Sequence, residues 1–134
     1  MVRISEVEAM IDSLADVTVG VRYGNRTWMV AGKGFAWERP FSKADIKRFG
    51  VDPVPDGPIL ATRVDDLGEK EAVLAAGHPG FFTIPHFNGY AAVLIQLQVV
   101  KKRALREALV DGWLAVAPRK LVDAHVDELT GRRR

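Results

Sequence analysis

His78 to Leu97 reads HPGFFTIPHFNGYAAVLIQL, two apolar runs of strand type separated by a short segment rich in proline, asparagine and glycine. Phe81 to Ile84 forms the first run, and Pro85 to Gly89 is the link. In the second run Ala91, Val93, Ile95 and Leu97 alternate with Ala92, Leu94, Gln96 and Gln98. Alternation with a period of two marks a strand whose faces have different surroundings. The spacing predicts a hairpin at the centre of a small antiparallel sheet, with one face wholly apolar and covered by helices.

The flanking segments extend this pattern. Before the hairpin, Val17, Val19, Val21 and Tyr23 alternate with Thr18, Gly20 and Arg22, predicting a half-buried strand that ends at a Gly24-Asn25 turn. Thr27 to Ala31 and Lys33 to Trp37 continue as strand material with a bend or bulge at the glycines of Gly32-Lys33-Gly34. That tripeptide lacks both the earlier glycine and the Ser or Thr after lysine that a phosphate loop needs. Ile59 to Val64 supplies a further strand after the proline-rich loop VDPVPDGP.

Helical periods surround these strands. Val7, Met10, Ile11 and Leu14 follow Ser5 and Glu8, which have capping-box spacing. Ser42 caps a short helix ending at Gly50, with Lys43, Lys47 and Arg48 facing solvent. Asp65 or Asp66 opens another helix, with Leu67, Val73 and Leu74 inward and Glu69, Lys70 and Glu71 outward. Leu105, Leu109, Trp113 and Val116 give a longer helix its buried stripe, and after Pro118 a final helix carries Leu121, Val122, His125, Val126 and Leu129. Runs of strands and helices in this order give an α+β fold, a two-layer antiparallel sheet of about five strands with helices packed on one face.

Residues 1–134 make a single domain, with a frayed basic tail expected at 131–134. No cysteine is present, which excludes disulfides, iron–sulfur clusters, thiolate zinc sites and thiol catalysis. The N-terminus carries acidic residues where a signal peptide is basic, and no apolar run has the length of a membrane span, so a cytoplasmic location without membrane attachment is expected. No nucleophile elbow, metalloprotease motif or carboxylate cluster at ligand spacing occurs, and three histidines make no obvious metal set. We therefore expect no catalytic residues, no metal and no cofactor, and a protein that is not an enzyme.

Charge is more informative than chemistry. The formal net charge is +2, but residues 51–100 have two Lys or Arg against six Asp or Glu, whereas residues 101–134 have nine against five. Lys101, Lys102, Arg103 and Arg106 fill the first turns of the long helix, where the helix dipole disfavours cations. An anion at that end would explain them, and Lys43, Lys47 and Arg48 form a second basic patch. In the hairpin link, His86, Phe87, Asn88 and Tyr90 are candidates for a turn contact or for stacking on a base.

Several stretches together resemble the MmcQ/YjbR family, whose fold is described as a double-wing DNA-binding domain. They are the first helix leading into strand, RTWMVAGKGFAWERP, ILATRV, HPGFFTIPHFNGYAAVLIQL and ALREALVDGWLAVAPRKL. Tyr90 stands where that family more often has tryptophan, and Trp113 where it commonly has tyrosine. The resemblance implies a YjbR-like fold and DNA binding, and brings no catalytic residue with it. DNA contacts are then expected from Lys101, Lys102, Arg103, Arg106, Lys43, Lys47 and Arg48 to phosphates. The competing expectation is a protein-interaction or small-ligand module using the exposed sheet face or an edge strand. Whether the two basic clusters share a face is the discriminating observation.

Overall fold

The structure, a computed structural model, describes residues 1–130, with side chains through residue 125. The expected frayed tail at 131–134 lies outside the described residues, and Val126 and Leu129 lie beyond the described side chains. Six strands, β1 (Val17–Arg22), β2 (Asn25–Val30), β3 (Lys33–Glu38), β4 (Ile59–Arg63), β5 (Phe81–Phe82) and β6 (Ala92–Gln96), form one sheet in the order β1-β2-β3-β4-β6-β5. All neighbouring pairs are antiparallel. With helices α1 (Ile4–Asp12), α2 (Lys43–Phe49), α3 (Leu67–Ala75), α4 (Lys102–Val116) and α5 (Arg119–Thr130), this is the expected α+β fold.

Two hairpins build the β1–β3 half. Tyr23 and Gly24 both have positive φ, 52° and 79°, and Ala31 and Gly32 repeat the pair at 52° and 79°. Two-residue loops with both central residues at positive φ match the right-handed twist of the strands they join. The first turn thus lies one residue earlier than the Gly24-Asn25 signal suggests. A bulge follows in β3, where Trp28 faces Ala36 while Met29 faces Gly34. Phe35 is the extra residue.

The larger core lies on the face that α1 and α4 cover. Val7, Met10 and Ile11 of α1 and Leu105, Leu109, Trp113 and Val116 of α4 meet Trp28, Val30, Phe35, Leu60 and Ile95 from the sheet. Gly112 brings α4 close to the strands, because a Cβ there would stand 3.1 Å from the Phe35 carbonyl oxygen and 3.3 Å from that of Arg63. Trp113 is fully buried, and its indole N–H donates to the Ala15 carbonyl at 2.9 Å.

The opposite face is covered only in part. Ile59, Ala61, Ala92 and Leu94 alternate onto it and pack with Ile84, Phe87, Phe41, Phe49, Trp37 and Phe82. Phe49 comes from α2 and Phe87 from a 3₁₀ turn, Pro85–Phe87, so both faces of β4 and β6 are dry. The same face of β1–β3 carries Gly20, Thr27, Met29 and Gly34, which among the described residues take no part in this second cluster.

Several local expectations need correcting. The His78–Leu97 hairpin forms one end of the sheet, with β5 at the edge, while the centre is β3 and β4. α1 begins before Ser5, with Arg3 at its N-cap and the Arg3 N–H donating to Glu6 Oε1 at 3.0 Å. In the edge strand β1, Val19 and Val21 are 60% and 73% exposed, since α1 and α4 do not extend over them. Leu67 is exposed and Lys70 buried, the reverse of the helical pattern, because carbonyls of another segment draw Lys70 inward.

Candidate functional site

Where the cover of the second face stops, a cleft of about 1210 Å³ opens against β2 and β3. Trp37, half-buried, lies on its sheet wall, paired across the strands with Thr27 and Ala61. Its half-buried indole lines the cleft beside these small residues. Tyr90 stands 6.2 Å away between ring centroids, inclined at 42° to the indole, and is 42% exposed. Phe87 meets Tyr90 edge to face at 5.6 Å.

The charges around these rings are nearly all positive. Arg22, Lys33, Arg39, Arg48 and Arg63 line the cleft, with Asp45 as the single carboxylate. Asp45 is buried at the start of α2, where it accepts from the Ser42 N–H and from Arg39 Nη1, both at 2.9 Å. Burial pushes its carboxyl up, but the Ser42 N–H and the Arg39 guanidinium outweigh this and hold it below the usual carboxylate range. Its charge is therefore spent on Arg39, with Arg48 Nη1 a more distant neighbour at 3.8 Å.

Other cations are oriented without being neutralised. Arg22 Nη2 donates to the Gly32 carbonyl at 2.6 Å, and Arg63 Nε donates to the Ala91 carbonyl at 3.2 Å, with its guanidinium 5.7 Å from the Tyr90 ring centre. Among the described residues, no carboxylate lies within ion-pair distance of Arg22, Lys33 or Arg63. Backbone carbonyls fix a guanidinium's direction and leave its full charge for a ligand.

The aromatic wall is held from behind. Lys70 Nζ donates to the Phe87 carbonyl at 2.6 Å and the Tyr90 carbonyl at 2.9 Å, tying α3 to the turn that presents both rings. Burial holds the Lys70 ammonium below the ordinary lysine range. Arg39, 5.6 Å from the Phe87 ring centre, connects the same turn to α2.

Of the residues singled out from sequence, Arg48, His86, Phe87 and Tyr90 line this cleft, but Phe87 is only 3% exposed, its ring packed into the second core and not open for stacking. Lys43 and Lys47 are exposed on α2 beside it, and Asn88 is exposed in the turn. Lys101, Lys102, Arg103 and Arg106 lie with α4 on the other side of the sheet. There Lys102 pairs with Glu6 at 2.6 Å, Arg103 approaches Glu107 at 3.7 Å, and Arg106 lines a smaller pocket of about 470 Å³ with His125. The two basic clusters do not share a face. Among the described residues, no group of three or more His, Asp or Glu stands ready for a metal ion, and no helix is long and apolar enough to cross a membrane.

Sequence reasoning misses Arg22, Lys33, Arg39 and Arg63, and takes Trp37 for one of the aromatic residues that serve mainly as core. Strand parity offers a signal for two of them, since Arg22 follows Thr18 and Gly20 on the polar face of β1, and Arg63 breaks the apolar run of β4.

Curated proteins similar to the chain come from mycobacteria. Uncharacterized protein Rv2570 of Mycobacterium tuberculosis and uncharacterized protein Mb2600 of Mycobacterium bovis are each 44% identical to it over 100 residues, spanning 72% of this chain and 77% of the relative. The chain belongs to their family. No family model matches it, and no solved structure matches it.

Proposed function

We propose that this protein is a non-enzymatic DNA-binding protein whose cleft receives the phosphate backbone. The observation that carries the reading is the lining itself, five cations against one carboxylate that is already paired. Such a lining raises the local potential for a polyanion, and its low-dielectric aromatic walls focus that potential. The resemblance to the MmcQ/YjbR family supports the same ligand. Arg22, Lys33, Arg48 and Arg63 make the phosphate contacts, with Lys43 and Lys47 extending the field along α2. Lys101 and its neighbours on α4 take no part, being on the far side and partly matched by Glu6 and Glu107.

Fluorescence anisotropy with labelled DNA at about 50 and 200 mM salt tests this, because each phosphate contact releases counterions and steepens the salt dependence. Arg48→Glu and Arg63→Glu weaken binding and flatten the slope. Absence of binding at low salt, or affinity indifferent to salt, overturns the proposal.

A second reading has its own observation. The edge strand β1 leaves Val19 and Val21 exposed beside a fully exposed Tyr23, which suits strand addition by a protein partner. Light scattering and a pull-down at high salt examine it, with Val21→Lys expected to abolish any association found.

A further inference from the structure

Resting on the DNA-binding proposal, we infer that the cleft takes an unpaired strand and stacks its bases on Trp37 and Tyr90. Cations alone would serve a duplex as well as a single strand. The rings make the difference. Trp37 lies against the sheet, deeper than the exposed Lys33 and Arg48, so a ligand that meets those cations with its phosphates reaches the indole only with a ring turned inward. In a duplex the base faces are stacked on one another and unavailable, whereas splayed bases of a single strand offer theirs to aromatic side chains.

The floor beside the indole is built of small residues. Thr27 is the cross-strand neighbour of Trp37, and Gly34 lines the cleft beside them; a Cβ there would stand 3.0 Å from the Thr27 methyl, so the position is held small. On the other wall, Tyr90 is kept in place by the two carbonyl bonds of Lys70 and has the Arg63 guanidinium against its ring. A base laid on Tyr90 thus has a cation within reach for its phosphate.

Size points to a strand and not a lone nucleotide. Small-ligand pockets enclose roughly 300–1,000 Å³, and this open cleft, at about 1210 Å³, exceeds them. Arg22, Lys33, Arg48 and Arg63, the cations left once Arg39 is paired with Asp45, are also more than one phosphate can engage.

The test compares a short oligothymidylate with a duplex of similar charge, by anisotropy and by tryptophan fluorescence. Of the three tryptophans, Trp28 and Trp113 are buried at 4% and 0% exposure, so quenching by bound bases reports Trp37. The single strand is expected to bind more tightly than the duplex and to quench the emission. Tyr90→Ala, at a site 42% exposed, should weaken single-strand binding by roughly 5- to 150-fold, the usual effect of removing one stacking ring, with the far-UV circular dichroism of the variant matching the parent. Trp37→Phe keeps a ring, so it should bind while losing the quench. If the duplex binds at least as well and Tyr90→Ala changes nothing while Arg48→Glu still weakens binding, the stacking inference falls and the phosphate reading stands. If neither form of DNA binds, both fall.

Discussion

The two basic regions of this molecule were assembled in opposite ways. On α4, Lys101, Lys102, Arg103 and Arg106 are nearly contiguous in sequence, yet Glu6 reaches Lys102 from α1 and Glu107 lies near Arg103 on the same helix. In the cleft, the cations come from residues 22, 33, 39, 48 and 63, and the one carboxylate among them is paired. Arg63 even comes from the most acidic third of the chain. A run of charge along a sequence is therefore a poor guide to field strength, since exposed helices gather counter-charges from neighbours at little cost. Charges that converge from separate strands on a wall with few carboxylates keep their field.

The cores on the two faces differ in the same sense, and substitutions in each separate stability from binding. Trp113→Ala on the α4 side should cost about 3–5 kcal/mol, because it empties a fully buried site and leaves the Ala15 carbonyl without its indole donor. Urea denaturation measures that loss, and DNA affinity of the protein that remains folded should stay unchanged. Lys70→Met on the cleft side should cost less, about 1–3 kcal/mol, the usual penalty for carbonyls stripped of a buried donor. It should nevertheless lower DNA affinity, since the carbonyls it releases belong to Phe87 and Tyr90. Hydrogen exchange should show opening confined to residues 84–91. Equal effects of both substitutions on binding would erase the distinction between the faces.

The fold was legible because periodicity reports burial. Leu105, Leu109, Trp113 and Val116 are buried as their spacing required, Ser42 caps α2, and the residues of β6 alternate between two cores. Position within the sheet was not legible. The same apolar hairpin that reads as central lies at one end, because alternation tells which face a residue occupies and not how many strands flank it. Val19 and Val21 show the converse error, an alternating strand beyond the reach of the covering helices. The site was half legible. Arg48, His86, Phe87 and Tyr90 could be singled out as a basic helix face and an aromatic turn, but their convergence with Trp37 and Arg63 depends on strand pairing across distant segments. Lys70 was beyond reach, because its burial is set by two carbonyls that a helical pattern does not contain.

Acid should act on the cleft side through Asp45. Its folded carboxyl sits below the ordinary aspartate value of about 3.9, so the unfolded chain binds its proton first as pH falls. The stabilisation is complete above that ordinary value and is lost as pH drops through the lower, folded one. Asp45→Asn should therefore be less stable than the parent protein near neutrality, and the gap should close progressively below about pH 4. Denaturant midpoints across that range measure it. A gap that persists unchanged in acid would show that Asp45 acts by hydrogen bonding alone and not by its charge against Arg39.

The smallest change falls on α4, where it opposes the two regions most directly. Lys101 occupies the N-cap with no side-chain hydrogen bond, and Lys102 and Arg103 follow at the positive end of the helix dipole. Lys101→Asp supplies both an acceptor for the free N–H groups and a favourable charge, a gain of about 1 kcal/mol. Thermal denaturation should register it as a rise in Tm. The substitution also lowers the net charge of the sequence's most basic helix start by two units, yet DNA affinity and its salt slope should hold, because no cleft residue is touched. A loss of affinity as large as that of Arg48→Glu would return the binding surface to α4. Unchanged affinity in a more stable protein would show that these lysines are a helix end left uncapped, while the polyanion is read on the other side of the sheet.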